Sequence, residues 1–493
     1  MLAAHQERVA DVARQVRARP AGARLTIRKQ TPTHSIRDQA YKSGLHAVDV
    51  SALHHVIEID AARRLATVEG QVTIGALSEA SLAQGLLPAV VPEYPMFTVS
   101  GLINGEGIQS SAHRYGVFTH TVRSVELVRA DGDVITASRD AHPVVFAALP
   151  ESLGTLGIVT AATIQLVPAK PFVKCTYRRY RSLGDYVAAF SASLEQPDFH
   201  EGIIFGPQGY VLATADFVDA AGGLPQFDPL RPGGEYYHQH VRAAANRRDV
   251  TEEVMPTLSY LRRLERGLWW QLESHADFPL LSETDWGRRH MDAQVDAMYQ
   301  ATGFASAGVT ALERDRHQIN QDMGVRLQDL QDGIAWVQAN LRVYPLWNCA
   351  VRIPEDERAT IGAPHVVDIG IYGEPGIDDY RHVRDMRALQ QRVPFPSTWG
   401  VSYLTWDEIR AKNPQRFDRY ERARAELNAD AAFLHMKDKV VWIDPATPSP
   451  RASKWWRLDR SFGPRWRWNP LAYLVIAVAA VSKAVWRKPA ISR

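Results

Sequence analysis

The sequence predicts an α+β protein built as two units and followed by a basic, partly apolar tail. Three observations carry this reading. Residues 24–167 alternate short strand patterns with helical ones, the pattern changes across Pro168 and Pro171, and the charge balance changes sign near residue 450. A chain of 493 residues exceeds one ordinary domain. Its 45% hydrophobic and 23% charged residues match a globular protein with a sizeable core.

Residues 1–20 carry Glu7, Arg8, Asp11, Arg14, Arg17 and Arg19 along their length, so they do not read as a secretory signal. Cytoplasmic residence is the expectation. Leu2, Val9, Val12 and Val16 fall near helical spacing and predict a short amphipathic helix packed on the body. Leu25–Arg28 alternates apolar and polar residues as a strand does. Residues 55–60 and 65–69 read as two strands joined by a turn over 61–64. Ile74, Leu77, Ala80 and Leu82 then mark a helix that stops before Gly85. Strands over 125–129 and 134–137 flank the turn Asp131-Gly132-Asp133.

A strand over 160–167 runs into the two prolines, which places the first unit at 1–170 and the second at 171–445. The second mixes helices with strands at 173–180, 202–205 and 366–372. Residues 219–234, rich in Gly and Pro, predict an exposed loop. The two cysteines, Cys175 and Cys349, are far apart and form no Cys-x-x-Cys pair, which argues for reduced thiols rather than a disulfide or zinc site.

Residues 446–493 form the tail. From 451 onward ten basic residues face the single acid Asp459; that +9 leaves −7 on the other 450 residues of a chain with net charge +2. Residues 471–482 carry no charge. As a helix continued to Trp486 they would span roughly 24 Å at about 1.5 Å per residue, short of a hydrocarbon core of about 30 Å. Trp466, Trp468 and Trp486 flank this stretch beside Arg465, Arg467, Arg487 and Lys488, a composition suited to the headgroup region. The expectation is a shallow or interfacial anchor over 470–486 on the cytoplasmic membrane face; docking on protein is the alternative. No nucleic-acid module accompanies the basic residues.

Residues 92–120 intersperse Gly101, Gly105, Gly107 and Gly116 with Thr98, Ser100, Asn104, Ser110 and Ser111. Such a stretch lets backbone approach a ligand closely, although by itself it also describes an ordinary surface loop. A second glycine set, Gly154 and Gly157, precedes a strand. A polar turn containing Lys29, Thr31, Thr33, His34 and Ser35 follows the strand Leu25–Arg28. Three such loops in one unit suggest an extended ligand bearing a pyrophosphate. There is no Walker P-loop, His-Glu-x-x-His or Gly-x-Ser-x-Gly, and no convincing Gly-x-Gly-x-x-Gly fingerprint. His238-Gln239-His240 lacks further ligands and reads as a solvated loop, so no metal site is expected.

The order of these pieces resembles the FAD domain of the vanillyl-alcohol oxidase family, the PCMH type: residues 68–75, Thr98-Val99-Ser100-Gly101, Arg114-Tyr115-Gly116, Asp131-Gly132 and Gly154-Thr155-Leu156-Gly157. Within that family, residues 107–116, 150–156, 343–347 and 368–375 resemble the delta-24-sterol reductases. Bacterial relatives that saturate methylene-branched fatty acyl chains share the pattern. The resemblance runs over most of residues 25–440.

It implies a two-subdomain FAD-binding unit followed by an α+β substrate (cap) domain. Lys29, Thr31, Thr33, His34 and Ser35 would form the first pyrophosphate loop. Thr98, Val99, Ser100, Gly101, Asn104 and Gly105, with Gln109, Ser110 and Ser111, would wrap the pyrophosphate and ribityl chain. Gly154, Gly157 and Val159 would touch the flavin through backbone. His34, His113 and His120 are near enough in sequence to raise a covalent tether, but the reductase resemblance favours non-covalent FAD. NADPH would be the transient electron donor. A hydrophobic lipid or sterol would be the substrate, with Tyr372, Glu273 and Glu374 as candidates for the proton donor because each can deliver a proton beside an apolar ligand. Core packing and helix capping are the ordinary roles of such residues. The same FAD fold also serves alcohol and sugar oxidases and dehydrogenases, which form the main alternative; a non-catalytic membrane scaffold is another.

Overall fold

The computed structural model of the chain describes residues 1–30, 40–270, 282–302, 319–373, 381–396 and 401–442. Thr31, Thr33, His34, Ser35, Glu273, Glu374 and the tail from 446 onward lie outside these residues.

Helix Leu2–Arg17 buries Val9, Val12, Ala13 and Val16, while Leu2, the first residue of the expected stripe, is exposed. A buried carboxylate fixes it. Glu69 accepts hydrogen bonds from His5 Nδ1 at 2.8 Å, Arg8 Nε at 2.8 Å, the backbone N–H of His55 at 2.8 Å and His55 Nδ1 at 2.9 Å. Burial opposes the charge of Glu69, yet these donors outweigh it and hold the carboxyl below its usual range.

Five strands of the first unit lie in the order Val56–Asp60, Leu65–Glu69, Ile158–Pro168, Val122–Val128 and Val134–Ser138, all antiparallel, with Leu86–Pro88 paired to the far end of Ile158–Pro168. A two-stranded parallel ribbon, Leu25–Arg28 with His46–Asp49, stands beside this sheet. At Pro168 the chain leaves it, and Phe172–Tyr180 enters a second one.

That second sheet has eight strands, in the order Val250–Pro256, Phe172–Tyr180, Tyr210–Val218, Phe199–Ile204, Leu346–Arg352, His365–Gly373, Ile319–Arg326 and Phe395–Pro396. Helices Leu183–Ala192, Leu330–Asn340 and Arg381–Arg392 contribute Tyr186, Phe190, Ile334, Val337, Met386 and Leu389 to the core on one face. Side chains alternate across a strand. Val367, Ile369 and Ile371 therefore join that core, while Asp368, Gly370 and Tyr372 face the first unit.

Helices Trp406–Lys412 and Pro414–Glu426 return to the first unit. Tyr420 Oη and Thr155 Oγ1 share a hydrogen bond of 2.7 Å, Arg424 Nη1 donates to the Thr155 carbonyl at 2.8 Å, and the Leu25 N–H donates to the Ala432 carbonyl at 2.7 Å.

The expectation of a solvated loop at His238-Gln239-His240 is corrected. These residues open helix Tyr237–Arg247, with His238 buried and His240 stacked on Phe227 at 3.7 Å and paired with Glu253 at 2.7 Å. The neighbours Tyr236 and Tyr237 bury the turn, an effect that local spacing does not encode. Cys175 and Cys349 are both buried and free.

The two units meet on a buried ion pair. Arg263 Nη2 lies 2.7 Å from Glu201 Oε2, and both side chains are at most 1% exposed. The same guanidinium nitrogen donates to Gln109 Oε1 at 3.0 Å and Ser110 Oγ at 3.1 Å. Glu201 also accepts from Tyr237 Oη at 3.0 Å and Trp347 Nε1 at 3.0 Å. Removing one partner would leave a charge buried and uncompensated. Arg263→Met is expected to destabilise the protein by about 3–5 kcal/mol, read as a lowered denaturant midpoint; an unchanged midpoint would contradict this role for the pair.

Candidate active site

Between the units lies a cavity of about 620 Å³, within the range of roughly 300–1,000 Å³ usual for cofactor and ligand sites. The first unit supplies one wall, with Lys29, Thr98, Ser100, Gly101, Asn104, Gly105, Gly154, Gly157 and Val159 among its lining residues. The eight-stranded sheet supplies the other, with Asn320, Asp322, Trp347, Asp368 and Tyr372. Val351, Ile353, Ile361, Val366 and Phe395 extend that wall as an apolar surface.

Several predicted residues play parts other than direct ligand contact. The Val99 side chain is buried, and its N–H donates to the Val72 carbonyl at 2.9 Å. The Ser100 N–H is likewise committed to the Gly70 carbonyl at 2.8 Å. Asn104 ties the loop together, donating to the Ser100 carbonyl at 2.7 Å and accepting from Ser152 Oγ at 3.0 Å. Gln109, Ser110 and Ser111 do not line the cavity. Gln109 and Ser110 belong to the Arg263 network, and Ser111 Oγ donates to the Ala89 carbonyl at 2.8 Å. His113 is buried against the carbonyls of Ser110 and Pro197, whereas His120 reaches the cavity.

Two features match a pyrophosphate-bearing, partly flat cofactor. A side chain at Gly105 would meet nothing within 4 Å, and one at Gly154, whose φ is +66°, would find only Lys439 Nζ at 4.0 Å. Backbone is thus open to close approach at both places. Lys29, Lys42 and Lys439 line this region. Burial and the charge of Lys42 push the Lys29 amine down to about 8, and burial lowers Lys42 as well. An anion placed here would relieve that mutual repulsion. Sequence spacing pointed to Lys29 but not to Lys439, which arrives from the returning C-terminal segment and donates to the Leu153 carbonyl at 2.7 Å.

At the sheet wall, Gly267, Leu268 and Trp269 all have positive φ, of 79°, 47° and 65°. Such a conformation is strained for a bulky residue and is held only by its surroundings. It turns Trp269 against Trp347 and Tyr372, with ring centroids 4.6 and 5.2 Å away, and its Nε1 donates to Glu93 Oε1 at 3.3 Å. Burial raises the Glu93 carboxyl to about 7 despite that donor. Tyr372 Oη is hydrogen-bonded to Asp322 Oδ1, and burial followed by the Asp322 charge keeps the phenol protonated. Of the three sequence-derived acid candidates, Tyr372 thus lines the cavity, and Glu273 and Glu374 lie outside the described residues. Glu93 and Asp322 escaped sequence reading because nothing in their neighbours in the chain announces a shared wall.

Residues 1–138 match the model of an FAD binding domain. This match, with the similarities below, shows an FAD-dependent oxidoreductase. Lys29, Lys42 and Lys439 are the lining side chains that could neutralise the phosphates of a bound FAD. The chain is 28% identical to a Delta(24)-sterol reductase of Homo sapiens over 459 residues, covering 88% of this chain and 86% of the relative. It is 29% identical to one of Arabidopsis thaliana over 479 residues, covering 87% and 83%. Similarity to Cytokinin dehydrogenase 10 of Oryza sativa subsp. japonica, 32% over 157 residues, covers 30% of this chain and 28% of that protein.

If Lys439 neutralises the cofactor phosphates, Lys439→Ala should weaken FAD binding about tenfold, the loss of one charge-assisted contact. Titration of apoprotein with FAD, followed by quenching of flavin fluorescence, would measure it. Unchanged affinity would place the phosphates elsewhere.

Proposed function

We propose that the chain uses FAD to reduce a carbon–carbon double bond in a hydrophobic lipid, a sterol side chain or a methylene-branched acyl chain, with NADPH as electron donor. The observation that carries this reading is one cavity wall on which an aromatic and aliphatic surface meets groups that hold protons. Similarity to reductases over both units supports the sterol side chain, while the match to the cytokinin dehydrogenase is confined to 30% of the chain.

Saturating an alkene adds a hydride to one carbon and a proton to the other. FAD, once reduced by the nicotinamide donor, would supply the hydride. The protein must then hold a proton beside an apolar ligand, in a place from which water is excluded. Tyr372 does this: it is 5% exposed, its phenol is protonated, and the indoles of Trp269 and Trp270 pack around its ring. Trp269, Trp347 and the aliphatic stretch at Val351, Ile353 and Val366 supply a surface for rings or acyl methylenes. Glu93 stays neutral, and so compatible with that surface, only below about pH 7. A carboxylate formed there at higher pH would disfavour an apolar substrate.

The test is a pair of anaerobic half-reactions on the holoenzyme. NADPH should bleach the flavin absorbance, and a sterol or acyl alkene should restore it. Tyr372→Phe is expected to slow only the alkene step, by about 10²-fold or more. The wild-type alkene step should fall as pH rises through about 7, and Glu93→Gln should flatten that limb. Failure of every alkene to reoxidise the flavin would sink the reading.

Among the described residues, no helix is long and apolar enough to cross a membrane. We propose that the tail, with its tryptophans and basic residues, holds the enzyme at a membrane surface where such lipids reside. Deleting residues 465–493 should move the protein from membranes to the supernatant after centrifugation; unchanged partitioning would refute the anchor.

A further inference from the structure

Strands Ile319–Arg326 and His365–Gly373 pair antiparallel, with Asp322 opposite Gly370 and Gly324 opposite Asp368. Asp322 and Asp368 thus stand one pleat apart on neighbouring strands, on the face that looks into the cavity. Gly370 lies between Asp368 and Tyr372. A side chain there would come within 2.7 Å of Tyr372 Oη and 2.8 Å of its ring carbons. The missing side chain is what lets the tyrosine ring lie back across the strand and reach Asp322.

Burial, and after it the charge of the neighbouring Asp322, push the Asp368 carboxyl well above its usual range. Asp368 is 5% exposed, and its Oδ2 has no hydrogen-bond partner among the described residues. Two carboxylates on adjacent strands of one dry wall raise each other's proton affinity, so at rest one proton is retained between them. Among the described residues, Glu93, Arg263 and Cys349, the last opposite Asp368 on the neighbouring strand, are the other titratable or charged groups that act on this wall. A phenol held far from ionisation is a poor final source of a proton, because its phenolate would be left in the same dry wall. A carboxylic acid behind it removes that difficulty.

We propose that Asp322 and Asp368 hold a single proton between them, and that this proton replaces the one Tyr372 Oη gives to the substrate. The inference rests on the reading of the reaction as alkene reduction. With the proton on Asp322, its O–H donates to Tyr372 Oη, and the tyrosine proton points into the cavity. As the new C–H bond forms, the Tyr372 O–H bond breaks and the Asp322 proton moves to Oη. The tyrosine ends neutral, and the carboxyl pair, which passes from one negative charge to two, takes up a proton from solvent to return to its resting state. Tyr372 is then the catalytic residue, and Asp322 and Asp368 act through it.

The experiment is single-turnover reoxidation of NADPH-reduced holoenzyme by a sterol with an unsaturated side chain, in H₂O–D₂O mixtures. Two protons move in the same step, so the dependence of the wild-type rate on deuterium fraction should be curved. Asp322→Asn keeps a hydrogen bond to Tyr372 but has no proton to pass on, and should slow this step about 10²-fold with reduction by NADPH unchanged. Gly370→Ala should do the same by displacing the ring. A linear dependence in wild type, or an Asp322→Asn rate within about threefold of wild type, overturns the relay. If Asp322→Asn does not retain FAD, the wild-type curvature decides alone. A wild-type enzyme that no alkene reoxidises overturns the proposed function and the relay together, whereas normal reoxidation with a linear dependence overturns only the relay.

Discussion

The Arg263–Glu201 pair is the interaction on which the cavity depends. Taking both charges out of water is costly, and their mutual attraction offsets that cost only when every remaining donor and acceptor is matched. Here the matching groups come from both units: Gln109 and Ser110 from the glycine-rich stretch, Tyr237 and Trp347 from the cap. The guanidinium also lies over the Tyr260 ring, 4.1 Å from its centroid. Because the network is complete only when the units are docked in one arrangement, it sets the spacing of the two cavity walls. His200 reinforces the register, its N–H donating to the Ser110 carbonyl at 2.8 Å.

The wall that faces the cofactor region is built around this hub. Trp347 donates to Glu201 and packs against Trp269, and Trp269 donates to Glu93 and packs against Tyr372. Charge at the hub is therefore connected, through hydrogen bonds and ring contacts, to the groups that hold protons. The positive φ values at 267–269 belong to the same design. A strained backbone there is tolerable because two indoles and a buried ion pair constrain it.

The charge of the cavity wall varies along its length. On the first unit Lys29 and Lys42 repel one another, while Glu106, raised to about 8 chiefly by burial, lines the same cavity with Glu151. At the sheet end, carboxyls crowd together and hold protons. An extended cofactor with phosphates at one end and a redox ring at the other suits such a variation, with the apolar stretch of Val351, Ile353 and Val366 left for a lipid.

Much of this was legible in the chain itself. Period-two and period-3.6 patterns located Leu25–Arg28, Leu65–Glu69, the start of helix Ile74–Leu82 and the change of sheet at Pro168, since these depend on local alternation and on proline. Glycines and small hydroxyls at 98–105 marked a loop of close approach, and their order pointed to FAD. Tertiary structure alone decided which of those residues face the ligand. It sent Gln109 and Ser110 to the ion pair of the second unit, brought Lys439 back across more than four hundred residues to the cavity that Lys29 lines, and set Glu93, Asp322 and Asp368 in one wall with Tyr372. The reason is physical. Backbone preference and burial pattern are properties of a few neighbouring residues, whereas a shared proton or a neutralised phosphate needs charges from distant strands enclosed in one low-dielectric space.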